Sequence, residues 1–404
     1  MSDNFIPFTK KEINKIILSL SKSEDEKKKL KKIMKMVEAY FHCIYHRKLE
    51  SLKEHYIAVD PDMKNNIFNL DEENINILEK EELIENEFSD LLKAGNYNEI
   101  EKEDIEQAFE GHSPWGIDLK VDFSKIKNYM LFYRGKYRDY YNKNYAKIGQ
   151  KSFGKIEKKY EFDVYSRVVL MFTLNEKKEI NSVKNENNNL KHGKLYIKLF
   201  KNVPVQDLEM VFPSAKVSIS ILDKLMVIVP LSIGLFSTGG KFIQYVLSEG
   251  KSMRIWSQVG FWTLVGGLFL FAIKSFFNYK NTVQKYLKNL TESLYFQNLD
   301  NNGGVFKTVL DDAEEQEYKE TMLAYAFLLK AAGNGAELEE MDKDIEKYFE
   351  DSYNYKFDFE ADDAVKKLIE LQIASKNNTF YKVDNLDNTI KILEDKWIKL
   401  IDNI

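Results

Sequence analysis

The sequence predicts an α+β membrane protein, and three observations carry that prediction. A helical texture fills the first 110 residues, branched and aromatic runs bounded by turn-formers follow from 111 to 213, and two charge-poor apolar stretches stand between 225 and 274. At 404 residues the chain is too long for one ordinary core. It divides into a helical N-terminal region at 1–110, an antiparallel β region at 111–213, a transmembrane hairpin at 214–280, long juxtamembrane helices at 281–335 and a winged-helix-like module at 336–404.

The average composition limits what this can be. Charged residues make up 30% of the chain and the mean hydropathy is -0.43, values that exclude a polytopic membrane protein but leave room for one hairpin. A net charge of -5 and a pI near 5.8 give no general footprint for nucleic acid. Cys43 is the single cysteine, so disulfide frameworks and cysteine-ligated zinc are excluded within one chain. The opening MSDNFIPFTKKEI has no charged segment followed by an apolar one, and so does not read as a cleaved leader.

In the first region, Leu30, Ile33, Met34, Val37, Phe41, Ile44, Tyr45, Leu52 and Tyr56 recur at three- and four-residue intervals and share one helix face. DPD at 60–62 closes that helix, because proline disfavours helical geometry in the residue before it. Shorter helices are expected near 73–94 and 100–110. Strands are expected at LKVDF, IKNYMLFYRG, YEFDVYSRVVLMFTL and KLYIKLF, with the Asn/Lys-rich stretch 176–191 as a loop.

The two apolar stretches predict spans at about 225–247 and 255–274. From Ile255 to Ile273 there are 19 residues without Asp, Glu, Lys or Arg, roughly 28 Å of helix against a bilayer core of about 30 Å. The turn SEGKSMR joins the two, Trp256, Trp262 and Tyr279 fall toward interfaces, and six glycines allow close helix packing. Lys216, Lys224, Lys274, Lys280, Lys285 and Lys288 flank the outer ends against Lys251 and Arg254 in the turn, which places both termini on the cytoplasmic side. Within the first span, STGGK at 237–241 has the wrong spacing for a phosphate loop.

After the spans the helix is expected to continue through NTVQKYLKNLTESLYFQNLD and stop at Gly303-Gly304. A second long helix at about 305–330 buries Val305, Phe306, Val309, Leu310, Ala313, Leu323, Ala324 and Phe327. The tail reads helix, helix, two short strands, helix, the order of a winged helix. From 331 to 404 it carries ten Lys against eighteen Asp or Glu. That surface repels phosphate backbones, so no nucleic-acid partner is expected.

Several quoted segments together resemble a known family. LYIKLFKNVPVQDLEMVFP (195–213), LTESLYFQNLDNNGGVFKTVLDDAEEQEYKE (290–320), EHYIAVDPD (54–62), GIDLKVDFSKI with YRG (116–126 and 133–135) and YEFDVYSRVVLMF (160–172) look like the bacterial family of unknown function that also includes mitochondrial transmembrane protein 143. The resemblance implies two central spans and carries over neither activity nor catalytic residues. The location that follows is the bacterial inner (cytoplasmic) membrane, multi-pass.

Motifs with chemistry are few. His42 and His46 in HCIYH lie one helical turn apart and are the candidate metal ligands, though the glutamate of a zinc-protease motif is missing. NLDNNG at 298–303 imitates half a calcium loop, with Asn298 and Val309 where acids are required. The carboxylates of DDAEEQE (311–317) divide between solvated helix faces. No cofactor is implied. The expected function is a membrane-anchored scaffold or interaction protein, with the lipid bilayer, a protein partner or a second copy as partners. The alternatives are a membrane-tethered enzyme with a site between the soluble parts, for which Arg134, Asp300 and Glu315 are the candidates, and an oligomeric membrane-perturbing effector. An enzyme predicts a concave pocket with converging polar groups and displaced pKa values.

Overall fold

The computed structural model describes residues 4–63, 77–105, 118–145, 156–175, 191, 193–213, 215–218, separate positions between 266 and 292, 294–331 and 335–402. The chain opens with an extended strap at 4–9, and Thr9 starts α1 (Lys10–Ser19) through a reciprocal capping box with Glu12. Ser23 caps α2 (Glu24–Tyr56), whose first turn holds Glu24, Asp25 and Glu26 where the helix dipole favours negative charge. Nine apolar residues from Leu30 to Tyr56 form its buried stripe. A third helix, α3 (Ile77–Ala94), ends at Gly95 and at Asn96, whose φ of 57° is left-handed.

Strands follow as β1 (Asn98–Glu99), β2 (Asp118–Val121), β3 (Ile126–Tyr145), β4 (Ile156–Leu174), β5 (Leu195–Pro204), β6 (Ala215–Ser218) and β7 (Asn298–Asn301). An antiparallel sheet runs in the order β1-β3-β4-β5-β7, while β2 pairs with β6 apart from it. The run VVLMF in β4 is apolar at every position because both faces of the sheet are covered. Val169 and Met171, with Phe132, Ile197 and Leu199, face the helices. Val168, Leu170 and Phe172 face a second core with Leu208, Met210 and Val211 from the 3-10 turn Val205–Val211.

The rest of the chain is α4 (Gly303–Lys330), α5 (Leu338–Tyr353), α6 (Ala361–Glu370), the hairpin β8 (Ala374–Asn377) and β9 (Phe380–Val383), and α7 (Leu386–Asp402). The order helix, helix, hairpin, helix is that read from the sequence. Helix α4 packs against α1, α2, α3, α5, α6, β5, β7 and β9. The predicted stripe is buried, and so is every residue from Gln316 to Leu328. Phe306 is fully buried, its ring 5.0 Å from both Tyr56 and Phe88 and nearly perpendicular to each.

Two expectations are corrected. Residues 298–301 form a strand, and Gly303 begins a helix instead of stopping one. The edge of β5 supplies the backbone partners: Asn302 donates its N–H to the Ile197 carbonyl at 2.6 Å and accepts the Ile197 N–H on Oδ1 at 3.3 Å. A Cβ on Gly304 would stand 2.6 Å from Asp300 Oδ1, so a larger residue there displaces that carboxylate.

The membrane reading is also overturned. Among the described residues, no helix is long and apolar enough to cross a membrane. The helical positions described from 266 onward include Phe269, Leu270, Phe276 and Phe277 together with Lys274, Lys280, Lys285 and Lys288. The transmembrane hairpin of the predicted fold class, and with it the multi-pass inner-membrane location and the cytoplasmic placing of the termini, therefore gives way to an α+β fold with an antiparallel sheet. The stretch 225–247 assigned to the first span, the part of the second before 266, STGGK, and residues 176–190 of the expected loop lie outside the described residues.

Truncating Phe306 to alanine removes the ring that joins α2, α3 and α4. The expected cost is about 3–5 kcal/mol in urea unfolding with an unchanged m-value.

Candidate functional site

The middle of α4 is enclosed on all sides, yet it carries Gln316, Glu317, Lys319 and Glu320, all buried. Buried charges must be paired, and each partner comes from a different part of the chain. Lys367 of α6 places its ammonium 2.7 Å from Glu317, 2.9 Å from Glu320 and 2.6 Å from Asp363. The Asn96 amide, held by the left-handed turn after α3, donates to Glu320 at 2.7 Å and to the Asn4 carbonyl at 2.8 Å. Tyr45 of α2 lines the same cleft as Glu317.

One ammonium against three carboxylates leaves the cluster short of positive charge. Burial pushes Glu317 up to about 7 against the opposing pull of Lys367, and burial raises Glu320 as well. Burial alone lowers a lysine, but Glu320, Glu317 and Asp363 more than offset it and hold Lys367 above its ordinary value. A cleft of about 230 Å³ between α2 and α6 opens on this cluster, lined by Tyr40, Tyr45, Lys48, Glu317, Asp363 and Lys366 among others. Chemically, the cleft presents a carboxyl group that gains and loses its proton near neutrality beside a phenol and an ammonium.

A second network sits two turns earlier on α4. Arg134 of β3 is buried and binds Asp312 at 2.8 Å, while the Tyr97 hydroxyl donates to the same carboxylate at 2.8 Å. The guanidinium lies 4.6 Å from the Phe5 ring and 4.9 Å from Tyr97. Lys319 donates to the Ile6 carbonyl at 2.8 Å and the Phe8 carbonyl at 3.1 Å, so the strap is fastened across α4. Burial pushes Lys319 down to about 8, with Glu315, 3.5 Å away, in opposition.

The sequence-predicted candidates separate. Arg134 and Glu315 come together around Lys319, where the charges of both act on it. Asp300 lies in β7, just before α4, accepting the Thr308 hydroxyl at 2.5 Å, and belongs to neither network. His42 and His46 are exposed and stacked with ring centroids 6.4 Å apart, and His42 Nδ1 is 3.0 Å from Glu314. Among the described residues no group of three or more His, Cys, Asp or Glu is placed to hold a metal ion. In the acidic run 311–317, Asp311 is exposed, Asp312, Glu315 and Glu317 pair with Arg134, Lys319 and Lys367, and Glu314 lies beside the His42 ring.

Sequence reasoning missed Glu317, Glu320 and Lys367. The available signal was the apolar TMLAYAFLL that follows directly, since a helix apolar all round is enclosed, and its enclosure extends one turn back over the acids.

Two pH effects follow. Glu317 has a folded pKa of about 7, above its ordinary 4.5, so the folded state holds the extra proton in that window and stability falls as pH rises from about 4.5 to about 7. Glu317→Gln is expected to flatten that slope in thermal unfolding followed across pH. Lys367→Met strips the carboxylates of their cation and is expected to cost about 3–5 kcal/mol at pH 8 and distinctly less at pH 5, where protonation relieves them.

No solved structure matches the chain. Residues 165–304, from Tyr165 in β4 to Gly304 at the start of α4, match the family described as Protein of unknown function (DUF3754). That segment includes Asp300 but neither ionic network on α4, and through it the chain carries a domain of a family whose function is unassigned.

Proposed function

We propose that the protein is a scaffold or interaction protein that self-associates through an apolar helix face between residues 269 and 296. The supporting observation is exposure. Phe269, Leu270, Phe276, Phe277, Tyr295 and Phe296 are helical and each more than half exposed. Phe269 and Leu270, Ile273, then Phe276 and Phe277 repeat at three, four and seven residues, which sets them on one stripe. Such a stripe pairs with another helix, and a second copy supplies an identical one. The helices and sheet bound to α4 form the body that presents it. The reading includes kinship with the family of mitochondrial transmembrane protein 143, supported by 195–213 and 290–320, and that kinship brings no activity with it.

A second reading, an enzyme with its site between the N-terminal helices and the C-terminal module, is favoured by one observation, the Glu317 carboxyl at the edge of the α2–α6 cleft.

Light scattering on the size-exclusion peak is expected to give a dimer or larger species for the wild-type chain and a monomer for Phe276→Ser/Phe277→Ser, with unchanged circular dichroism. A wild-type monomer at tens of micromolar overturns self-association. For the second reading, ligand-observed NMR against a fragment library is expected to give hits that Tyr45→Phe and Glu317→Gln both weaken; hits indifferent to both substitutions remove it.

A further inference from the structure

Three cations stand in one row across the sheet. Arg134 of β3 is register partner to Arg167 of β4, and Arg167 to Lys201 of β5. Partners in register share a face, and the helix-facing core residues Phe132, Val169 and Leu199 lie two positions from Arg134, Arg167 and Lys201 respectively. Arg134 shows the side directly through its contacts with Asp312, Phe5 and Tyr97. The charge of Arg167 also acts on Tyr97, as expected for the same side.

Like charges directly opposite one another destabilise a sheet, and here the compensation is incomplete. Asp312 pairs with Arg134. Among the described residues, neither Arg167 nor Lys201 has a carboxylate within 4.0 Å. The Nε atoms of Arg134 and Arg167 are both buried without a hydrogen-bond partner. A guanidinium seldom gives up a donor in that way when nothing is meant to accept it.

The backbone bends where the row ends. Gly135, next to Arg134, has φ 70°, and a Cβ on it stands 2.9 Å from Ser166 Cβ; Asn202, next to Lys201, has φ 53°. Beyond the bend Tyr165 and Val203 join the opposite core. The bend isolates the row from the apolar positions that continue along both strands.

We propose that Arg134, Arg167 and Lys201 form a binding site for an oxyanion, the phosphate or carboxylate group of a small molecule, at the bent end of the sheet beneath α4. The anion accepts hydrogen bonds from the unused guanidinium donors and neutralises the row, with Phe5 and Tyr97 as an aromatic wall. The paired fork geometry of two arginines favours a planar or tetrahedral oxyanion over chloride. The proposal uses none of the residues of the self-association reading and does not depend on it.

The test uses the full chain and inorganic phosphate, with chloride at matched ionic strength and pH as the control. Phosphate is expected to raise the Tm of the wild-type protein beyond chloride and to bind with a measurable Kd in isothermal titration. Arg167→Gln is expected to weaken phosphate at least tenfold and to raise the Tm in chloride, since it removes an uncompensated charge. Lys201→Gln is expected to weaken phosphate less. Succinate in place of phosphate separates a carboxylate from a phosphate ligand, and either one binding in an Arg167-dependent way supports the site. Phe276→Ser/Phe277→Ser is expected to bind phosphate as the wild type does. Equal Tm in phosphate and chloride with no titration heat for either anion, or binding unchanged in Arg167→Gln, overturns the proposal.

Discussion

One constraint organises the molecule: helix α4 is enclosed by protein while carrying ionisable side chains in the enclosed part. Glu317, Lys319 and Glu320 are buried, so their partners must be brought by the fold. Lys367 comes from 47 residues beyond Glu320, Asn96 from 224 residues before it, and the strap carbonyl of Ile6 from 313 residues before Lys319. Apolar packing alone tolerates many docking angles of helix on helix. An ammonium shared by three carboxylates tolerates few, and that is the sense in which the joint specifies how the C-terminal module sits on the N-terminal helices.

The two ionic regions have opposite imbalance. Around Lys367 there are three carboxylates to one cation, and the shortfall is met by retaining a proton, as the raised Glu317 and Glu320 indicate. In the row across the sheet there are three cations, of which Arg134 is paired with a carboxylate. Arginine cannot release its proton at any physiological pH, so the remedy available to the acidic cluster is closed to Arg134 and Arg167. An external anion is the remedy proposed for them. The same helix borders both regions, through Glu317 and Glu320 at one and Asp312 at the other.

Much of the architecture could be read from local pattern, and the failures share a cause. Strands at 126–135 and 160–174 announce themselves by branched and aromatic residues, and the stripe of α2 by its spacing. β3 runs on to Tyr145 through KYRDYYNKNY, which reads as polar and turn-rich because its order comes from pairing with β4 across the hairpin. NLDN reads as a helix ending, yet it is a strand because the free edge of β5 lies there, about a hundred residues away in sequence. The carboxylates at 311–317 divide among helix faces as a wheel predicts. The wheel does not know that α2, α6 and β3 cover those faces. Of the candidate residues, Arg134 stands in a β-rich run as a candidate for a site between the soluble parts, whereas its partners Arg167 and Lys201 are joined to it only by register. Charge-poor runs near 255–273 suggested hydrocarbon because local apolarity does not say what surrounds a helix.

The central claim is that α4 and its ionic joint hold the N-terminal helices, the sheet and the C-terminal module in one cooperative unit. Native-state hydrogen exchange in increasing denaturant tests it most directly. The account predicts that amides in α2, the middle of α4 and α6 exchange through a single opening at the full free energy of unfolding. Exchange of α6 and the β8–β9 hairpin through a separate, cheaper opening, with α4 still protected, would contradict it.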